Sequence, residues 1–179
     1  MITFVTGGAR SGKSGYAESL LLDETEVTYI ATAEVFGEEM RDRVEKHQKR
    51  RPETWKTWES PRSLKSCPYS LSHVLLDCLT LFTTNIFFSC ISDENCVTPE
   101  EMAMVEERVI GEVQDFIHRV REVEGDLIIV SNEIGMGIVP ENHLARVFRD
   151  VQGRVNQAIA KESDRVVLVV SGLPVEVKG

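Results

Sequence analysis

Hydrophobic positions along the chain fall into short continuous runs separated by stretches in which they recur every third or fourth residue. The continuous runs at residues 2–6 (ITFVT), 27–31 (VTYIA), 74–77 (VLLD) and 126–133 (DLIIVSNE) read as strands of a sheet buried on both faces, and residues 55–58 offer a short third strand between them. The periodic stretches read as helices. The spacing predicts one over residues 13–22 and another over residues 38–50, which ends before Pro52 because a proline disfavours helix at the residue preceding it. Residues 79–90 suit a buried helix, although their Thr, Ile and Phe content also suits a strand.

The sharpest local signal follows Val97. Thr98 can cap a helix, Pro99 fits its first position and Glu101 completes a capping box; Met102, Val105, Val109, Val113, Phe116 and Val120 then form one apolar stripe. A loop with Gly135, Gly137 and Pro140 leads to a helix over residues 141–161, striped by Leu144, Val147, Val151, Val155 and Ile159. RVVLVV, the turn-like SGLP and VEV read as a closing hairpin. Strands alternating with helices predict an α/β fold in one domain over residues 1–179, its sheet mostly parallel with an antiparallel strand at the end.

Chemistry enters at the first strand-to-helix junction. Gly7, Gly8, Ala9, Arg10, Ser11, Gly12, Lys13 and Ser14 spell G-x-x-x-x-G-K-S, in which glycines let backbone N–H groups turn toward phosphate oxygens. The helix start adds a favourable dipole, Lys13 reaches the terminal phosphates, Ser14 can ligate magnesium and Arg10 is a further nearby cation. Asp77 has two readings: a magnesium ligand acting through water at a neighbouring strand end, or a cap on the helix that follows. Within EEMRDRVEKHQKRRPETW, a helical turn of about 100° per residue puts Arg43, His47 and Arg50 on one stripe beside Met40 and Val44. His47 is then either a boundary histidine or a nucleophile facing a polyphosphate, kept neutral by the cations around it.

Composition narrows the partners. Twenty basic against 29 acidic residues give a net charge of −9, which disfavours nucleic acid and anionic membrane, and no basic stretch interleaved with aromatics offsets it. Cys67, Cys78, Cys90 and Cys96 show no C-x-x-C or metal-ligand spacing and fit a reducing cytoplasm. No apolar run approaches the ~20 residues of a membrane span, so neither membrane insertion nor a leader segment is expected.

TGGARSGKS, YIATAE, EEMRDRVEKHQKRRPETWKTWE, LLDCLT, SNEIGMGIVPE, RVFRDVQGRVNQ and LVVSGLP together resemble, nearly end to end, the bifunctional adenosylcobinamide kinase and adenosylcobinamide-phosphate guanylyltransferase family of cobalamin biosynthesis. The phosphate loop is generic; R-V-x-x-H-x-x-R-R-P and N-E-x-G-M-G-I-V-P-E are not. The resemblance implies a P-loop, RecA-like three-layer fold, a homotrimer, magnesium, and ATP or GTP as nucleotide substrates. It implies two reactions. A γ-phosphoryl group passes to adenosylcobinamide, with Lys13, Ser14 and magnesium stabilising the transfer; then a histidine, matched here by His47, takes GMP from GTP and passes it to adenosylcobinamide phosphate. Lys46 stands where some relatives carry a second histidine, and Asp77 where some carry Glu. Ala31, Thr32, Ala33, Gln48, Lys49, Arg50, Arg51 and Glu59 match the nucleotide pocket. Glu59 can accept hydrogen bonds from a guanine edge or be a solvated strand-end residue. Asn132 and Glu133, at a strand's carboxyl end, either touch corrinoid or phosphate or cap a loop. An enzyme with only one activity, a RecA-like motor and a nucleotide-dependent switch are the competing readings, and a switch has no need of His47.

Overall fold

A computed structural model describes residues 1–34 and 51–179. The helix expected over residues 38–50 lies outside the described residues. Seven strands form one sheet in the order β3-β2-β4-β5-β1-β6-β7, where β1 is Ile2–Gly7, β2 Thr28–Ala31, β3 Lys56–Glu59, β4 His73–Asp77, β5 Asp126–Asn132, β6 Arg165–Val170 and β7 Leu173–Lys178. Among the described residues strands β1 to β6 pair in parallel, and only β6 and β7 pair antiparallel. The described helices are α1 (Lys13–Ser19), α2 (Leu79–Cys90), α3 (Pro99–Glu122) and α4 (His143–Glu162).

The central strands are apolar on both faces because helices cover both, which gives the expected three layers. On one face Phe4, Leu76, Leu127, Ile129 and Val166 meet Phe82 and Ile86 of α2, the Val105–Val109–Val113–Phe116 stripe of α3, and Val151 and Val155 of α4. On the other, Val5, Tyr29, Leu75, Ile128, Val130, Val167 and Val169 pack with Ala17 of α1 and with Leu21.

The 79–90 ambiguity resolves as helix: Leu79, Phe82, Thr83 and Ile86 bury one flank of α2, at helical rather than strand spacing. The capping box of α3 is complete, with Thr98 Oγ1 accepting from the Glu101 N–H and the Glu101 carboxylate accepting from the Thr98 N–H. Two helix ends differ from the sequence reading. α1 stops at Ser19 because only Leu21 of the following leucines is buried, while Leu20 and Leu22 are exposed and the chain tightens into turns. α4 starts at His143 rather than at residue 141, because Asn142 is the cap and accepts from the Ala145 N–H at 2.9 Å. The closing hairpin turns on Ser171 and Gly172 alone, both at positive φ, so Leu173 and Pro174 belong to β7; Pro174 is tolerated on this edge strand.

Candidate active site

Parallel pairing brings the carboxyl ends of β1 to β5 to one edge of the sheet, and Gly7, Ala31, Glu59, Asp77 and Asn132 are each the last residue of a strand. Ala31 is in register with both Glu59 and Asp77, Asp77 with Val130, and Gly7 with Asn132. Most of the candidates that the sequence scatters over the chain thus lie on the usual ligand side of an open α/β sheet.

The loop from Gly7 to Ser14 is held from within and from the hairpin. The Ser11 N–H donates to Gly8 O at 3.2 Å, and the Gly172 N–H donates to Ser11 O at 2.7 Å. A side chain at Gly7 would bring Cβ within 2.5 Å of Val169 O, and Gly12, at φ 93°, sits so close to the hairpin that a Cβ would lie 3.2 Å from Gly172 Cα. Gly8, Ala9 and Arg10 are exposed at the rim, Arg10 with φ 57°. Ser11 Oγ is buried with no partner among the described residues. Lys13 opens α1 and is buried, with Nζ donating to Gly8 O at 3.1 Å. Burial lowers its pKa from the ordinary lysine value.

Asp77 does not cap α2; Cys78 occupies that position, without a side-chain cap. The Asp77 carboxylate instead accepts from the Tyr29 hydroxyl at 3.0 Å through Oδ2. Burial raises the Tyr29 pKa far above the ordinary phenol range, and the Asp77 charge adds to it, so Tyr29 is a permanent donor. The Arg51 guanidinium stacks 3.3 Å over the Tyr29 ring, and its Nη1 is 3.5 Å from Thr57 Oγ1. The Cys78 thiol is pushed up to about 12, first by burial and then by Asp77, and stays neutral.

Thr32 is fully buried and its hydroxyl serves the backbone, accepting from the Cys78 N–H at 2.8 Å and donating to Cys78 O at 2.7 Å. Ala31 and Ala33 flank it half-buried, and Asn85 of α2 holds Thr32 O at 2.8 Å. Glu59 is exposed. Glu133 closes its own loop, Oε1 accepting from the Gly135 N–H at 2.7 Å. His47, Gln48, Lys49 and Arg50, with Arg43, lie outside the described residues.

Tyr29 has no marker in the sequence beyond its place in a strand that reads as apolar, and nothing in the sequence marks Thr32, just past that strand, as a clamp on Cys78. A magnesium ion is implied at this edge. Ser14, half-buried in the first turn of α1, and Asp77, whose Oδ1 has no partner among the described residues, are hard oxygen donors that fit it. Among the described residues no group of three His, Cys, Asp or Glu is placed to hold a metal ion.

The family model described as cobinamide kinase / cobinamide phosphate guanyltransferase matches residues 3–177. The chain is 42% identical over 182 residues to the bifunctional adenosylcobalamin biosynthesis protein CobU of Escherichia coli strain K12, covering 99% of this chain and 100% of that one. It is 39% identical over 184 residues to the bifunctional adenosylcobalamin biosynthesis protein CobP of Pseudomonas aeruginosa, covering 100% of this chain and 98% of that one. Among solved structures, the P4 protein of bacteriophage phi6 in complex with ADP aligns with 97% of this chain and 53% of its own, at TM-score 0.42 and 11% identity. A match that runs through every strand of the sheet and both sides of the phosphate loop leaves one conclusion: the chain belongs to the cobinamide kinase / cobinamide phosphate guanyltransferase family.

Proposed function

We propose that this chain phosphorylates adenosylcobinamide with ATP or GTP and then transfers GMP from GTP to the resulting phosphate through a guanylylated His47, yielding adenosylcobinamide-GDP for cobalamin synthesis. The observation that carries the reading is the buried Lys13 in its glycine loop, beside the strand-end carboxylate of Asp77, in a chain whose family is described by both activities and whose relatives are named bifunctional.

In the kinase step the aminopropanol hydroxyl oxygen bonds to the γ-phosphorus as the β–γ bridging bond breaks, and the hydroxyl proton leaves to solvent. Lys13 and the loop N–H groups hold the phosphate oxygens on which charge accumulates. A buried, desolvated ammonium favours that contact, because phosphate oxygens replace the hydration that burial removes and add to the counter-charge of Asp77. Gly7 to Ser14, Ala31, Thr32, Ala33, Gln48, Lys49, Arg50, Arg51, Glu59 and Asp77 form the nucleotide pocket in this reading. Thr32 contributes through its backbone and through the clamp on Cys78, since its hydroxyl is committed. Magnesium, held by Ser14 and Asp77, would supply charge neutralisation between phosphates.

In the second step an imidazole nitrogen of His47 bonds to the α-phosphorus of GTP and pyrophosphate leaves; the phosphate oxygen of adenosylcobinamide phosphate then displaces the histidine, restoring it. The family resemblance further supports a homotrimer, and four cysteines without paired spacing support a reducing cytoplasm. Among the described residues no helix is long and apolar enough to cross a membrane.

The deciding experiment incubates the protein with magnesium and α-labelled GTP without corrinoid. Acid-labile, alkali-stable label on the protein is expected, and its absence, or undiminished label in His47→Ala, overturns the nucleophile. Cobinamide with γ-labelled nucleotide tests the kinase step separately, and sedimentation tests the trimer.

A further inference from the structure

A ring of hydrogen bonds closes on the backbone N–H and C=O of Asn132. Its N–H donates to Thr80 Oγ1 at 2.8 Å, and the Thr80 hydroxyl lies 3.2 Å from Ser131 Oγ. Ser131 Oγ donates to Asn156 Oδ1 at 2.7 Å, and Asn156 Nδ2 returns to Asn132 O at 3.1 Å. A serine hydroxyl has one proton, and Asn156 receives it, so Thr80 donates to Ser131 and every bond around the ring runs in the same sense. Gln152 Nε2 braces it, donating to Asn156 Oδ1 at 2.8 Å and to Ser131 Oγ at 3.3 Å.

Thr80, Ser131, Gln152 and Asn156 are all buried. Placing so many polar groups between α2, β5 and α4 gives no packing advantage over apolar side chains of the same size, while each is costly if left unpaired. What the ring does achieve is to fix both backbone polar groups of one residue, the last of β5, and with them the two peptides that flank its side chain. The next N–H, that of Glu133, donates to Gly7 O at 3.0 Å, which ties the same strand end to the first glycine of the phosphate loop.

Side-chain direction then follows from strand alternation. Ser131 faces α4, so Asn132 faces the opposite side. That is the face on which Val130, two residues earlier, packs with Ala17 of the phosphate-loop helix α1. Asn132 is half-buried in register with Gly7, on the strand between the loop strand and the Asp77 strand, and its carboxamide has no partner among the described residues.

We propose that the Asn132 carboxamide is a phosphate-directed group of the kinase step, donating from Nδ2 to a γ-phosphoryl oxygen during transfer, and that Thr80 and Asn156 are its positioning residues. The bond made and the bond broken are those of the kinase step; Asn132 gains and loses no atom. A donor aimed at developing charge is worth most when its backbone cannot move, which is what the ring provides. The inference rests on the reading that the loop from Gly7 to Ser14 holds the nucleotide.

The test measures phosphoryl transfer from γ-labelled nucleotide to cobinamide, with nucleotide affinity measured apart. Asn132→Ala is expected to lower kcat about 100-fold with nucleotide KM changed less than about threefold, the pattern of an interaction made in the transition state. Thr80→Val, which keeps shape but opens the ring, is expected to lower kcat about tenfold, and Thr80→Ser to recover it. Asn132→Ala with kcat within about threefold of the unaltered chain overturns the proposal, as does a Thr80→Ser variant as slow as Thr80→Val. Should Thr80→Val fail to fold, the half-exposed Asn132 decides alone. Failure of the underlying reading shows elsewhere: Lys13→Met would then leave nucleotide affinity unchanged.

Discussion

Tyr29 Oη and Asp77 Oδ2 are 3.0 Å apart, joining neighbouring strands across 48 residues of chain at the edge where the phosphate loop opens. The bond holds one oxygen of Asp77 and leaves the other without a partner among the described residues, while Arg51 covers the tyrosine ring. Tyr29→Phe keeps the ring and the stacking and removes only the donor. Hydrogen bonds to charged groups contribute roughly 1.5–3 kcal/mol, so the variant should lose about that much stability in urea unfolding. A change below about 0.5 kcal/mol would show that the bond does not hold the carboxylate.

Lys13 illustrates stability set against binding. An ammonium whose pKa is lowered by burial carries a folding penalty wherever both folded and unfolded states are protonated; the penalty fades as pH rises from the lowered value toward 10.5. Lys13→Met should therefore be at least as stable as the unaltered chain at neutral pH, with the difference shrinking as the solution becomes alkaline. On the proposed function the same change also takes away a charge-assisted phosphate contact and should weaken nucleotide binding about 10- to 100-fold. Paired urea titrations across pH and a nucleotide titration check both halves. A variant that is both less stable and fully competent to bind would contradict both.

How far such features can be read from sequence depends on the distance over which their causes act. The capping box at Thr98 and Glu101, the stripe of α3 and the phosphate loop are each written within a few neighbouring residues, so pattern alone places them. Asn142 escaped because Glu141 and Asn142 compete for the start of α4, and only the bond to the Ala145 N–H decides. Gln152 and Asn156 escaped for a different reason. Each adjoins a valine of the α4 stripe, where polar residues are counted as the solvent side, and their partners on β5 and α2 come close only once the sheet has formed. The Tyr29–Asp77 pair is likewise a product of β2 and β4 lying in register.

Glu101 gives a pH signature that is local to one helix end. The Thr98 N–H, and then the hydroxyl and N–H of Ser92, pull its carboxyl pKa down to about 2. A depressed carboxylate contributes stability that is complete above its ordinary value and is lost as pH falls toward the lowered one. Titration followed by carboxyl carbon NMR should place the Glu101 midpoint near the value of about 2, and fraying at the start of α3 should set in over the same range. A midpoint at the ordinary glutamate value would mean the box is open in solution.

The glycines of the loop separate steric need from chemical need. A Cβ at Gly7 would stand 2.5 Å from Val169 O and 2.7 Å from Ser11 Oγ; the first is backbone of a central strand pair and cannot rotate away. At Gly8 a Cβ meets nothing within 4 Å. Measured without nucleotide, Gly7→Ala should therefore cost about 1–3 kcal/mol of stability by forcing the loop off β6, while Gly8→Ala should change it by less than about 0.5 kcal/mol. With nucleotide the proposed function predicts a different ranking, because Gly8 is exposed at the loop rim, where in that reading a methyl group meets phosphate rather than protein. Unfolding curves with and without GTP distinguish the two. Equal destabilisation of both variants in the absence of nucleotide would mean that contact with β6 is not what fixes the loop.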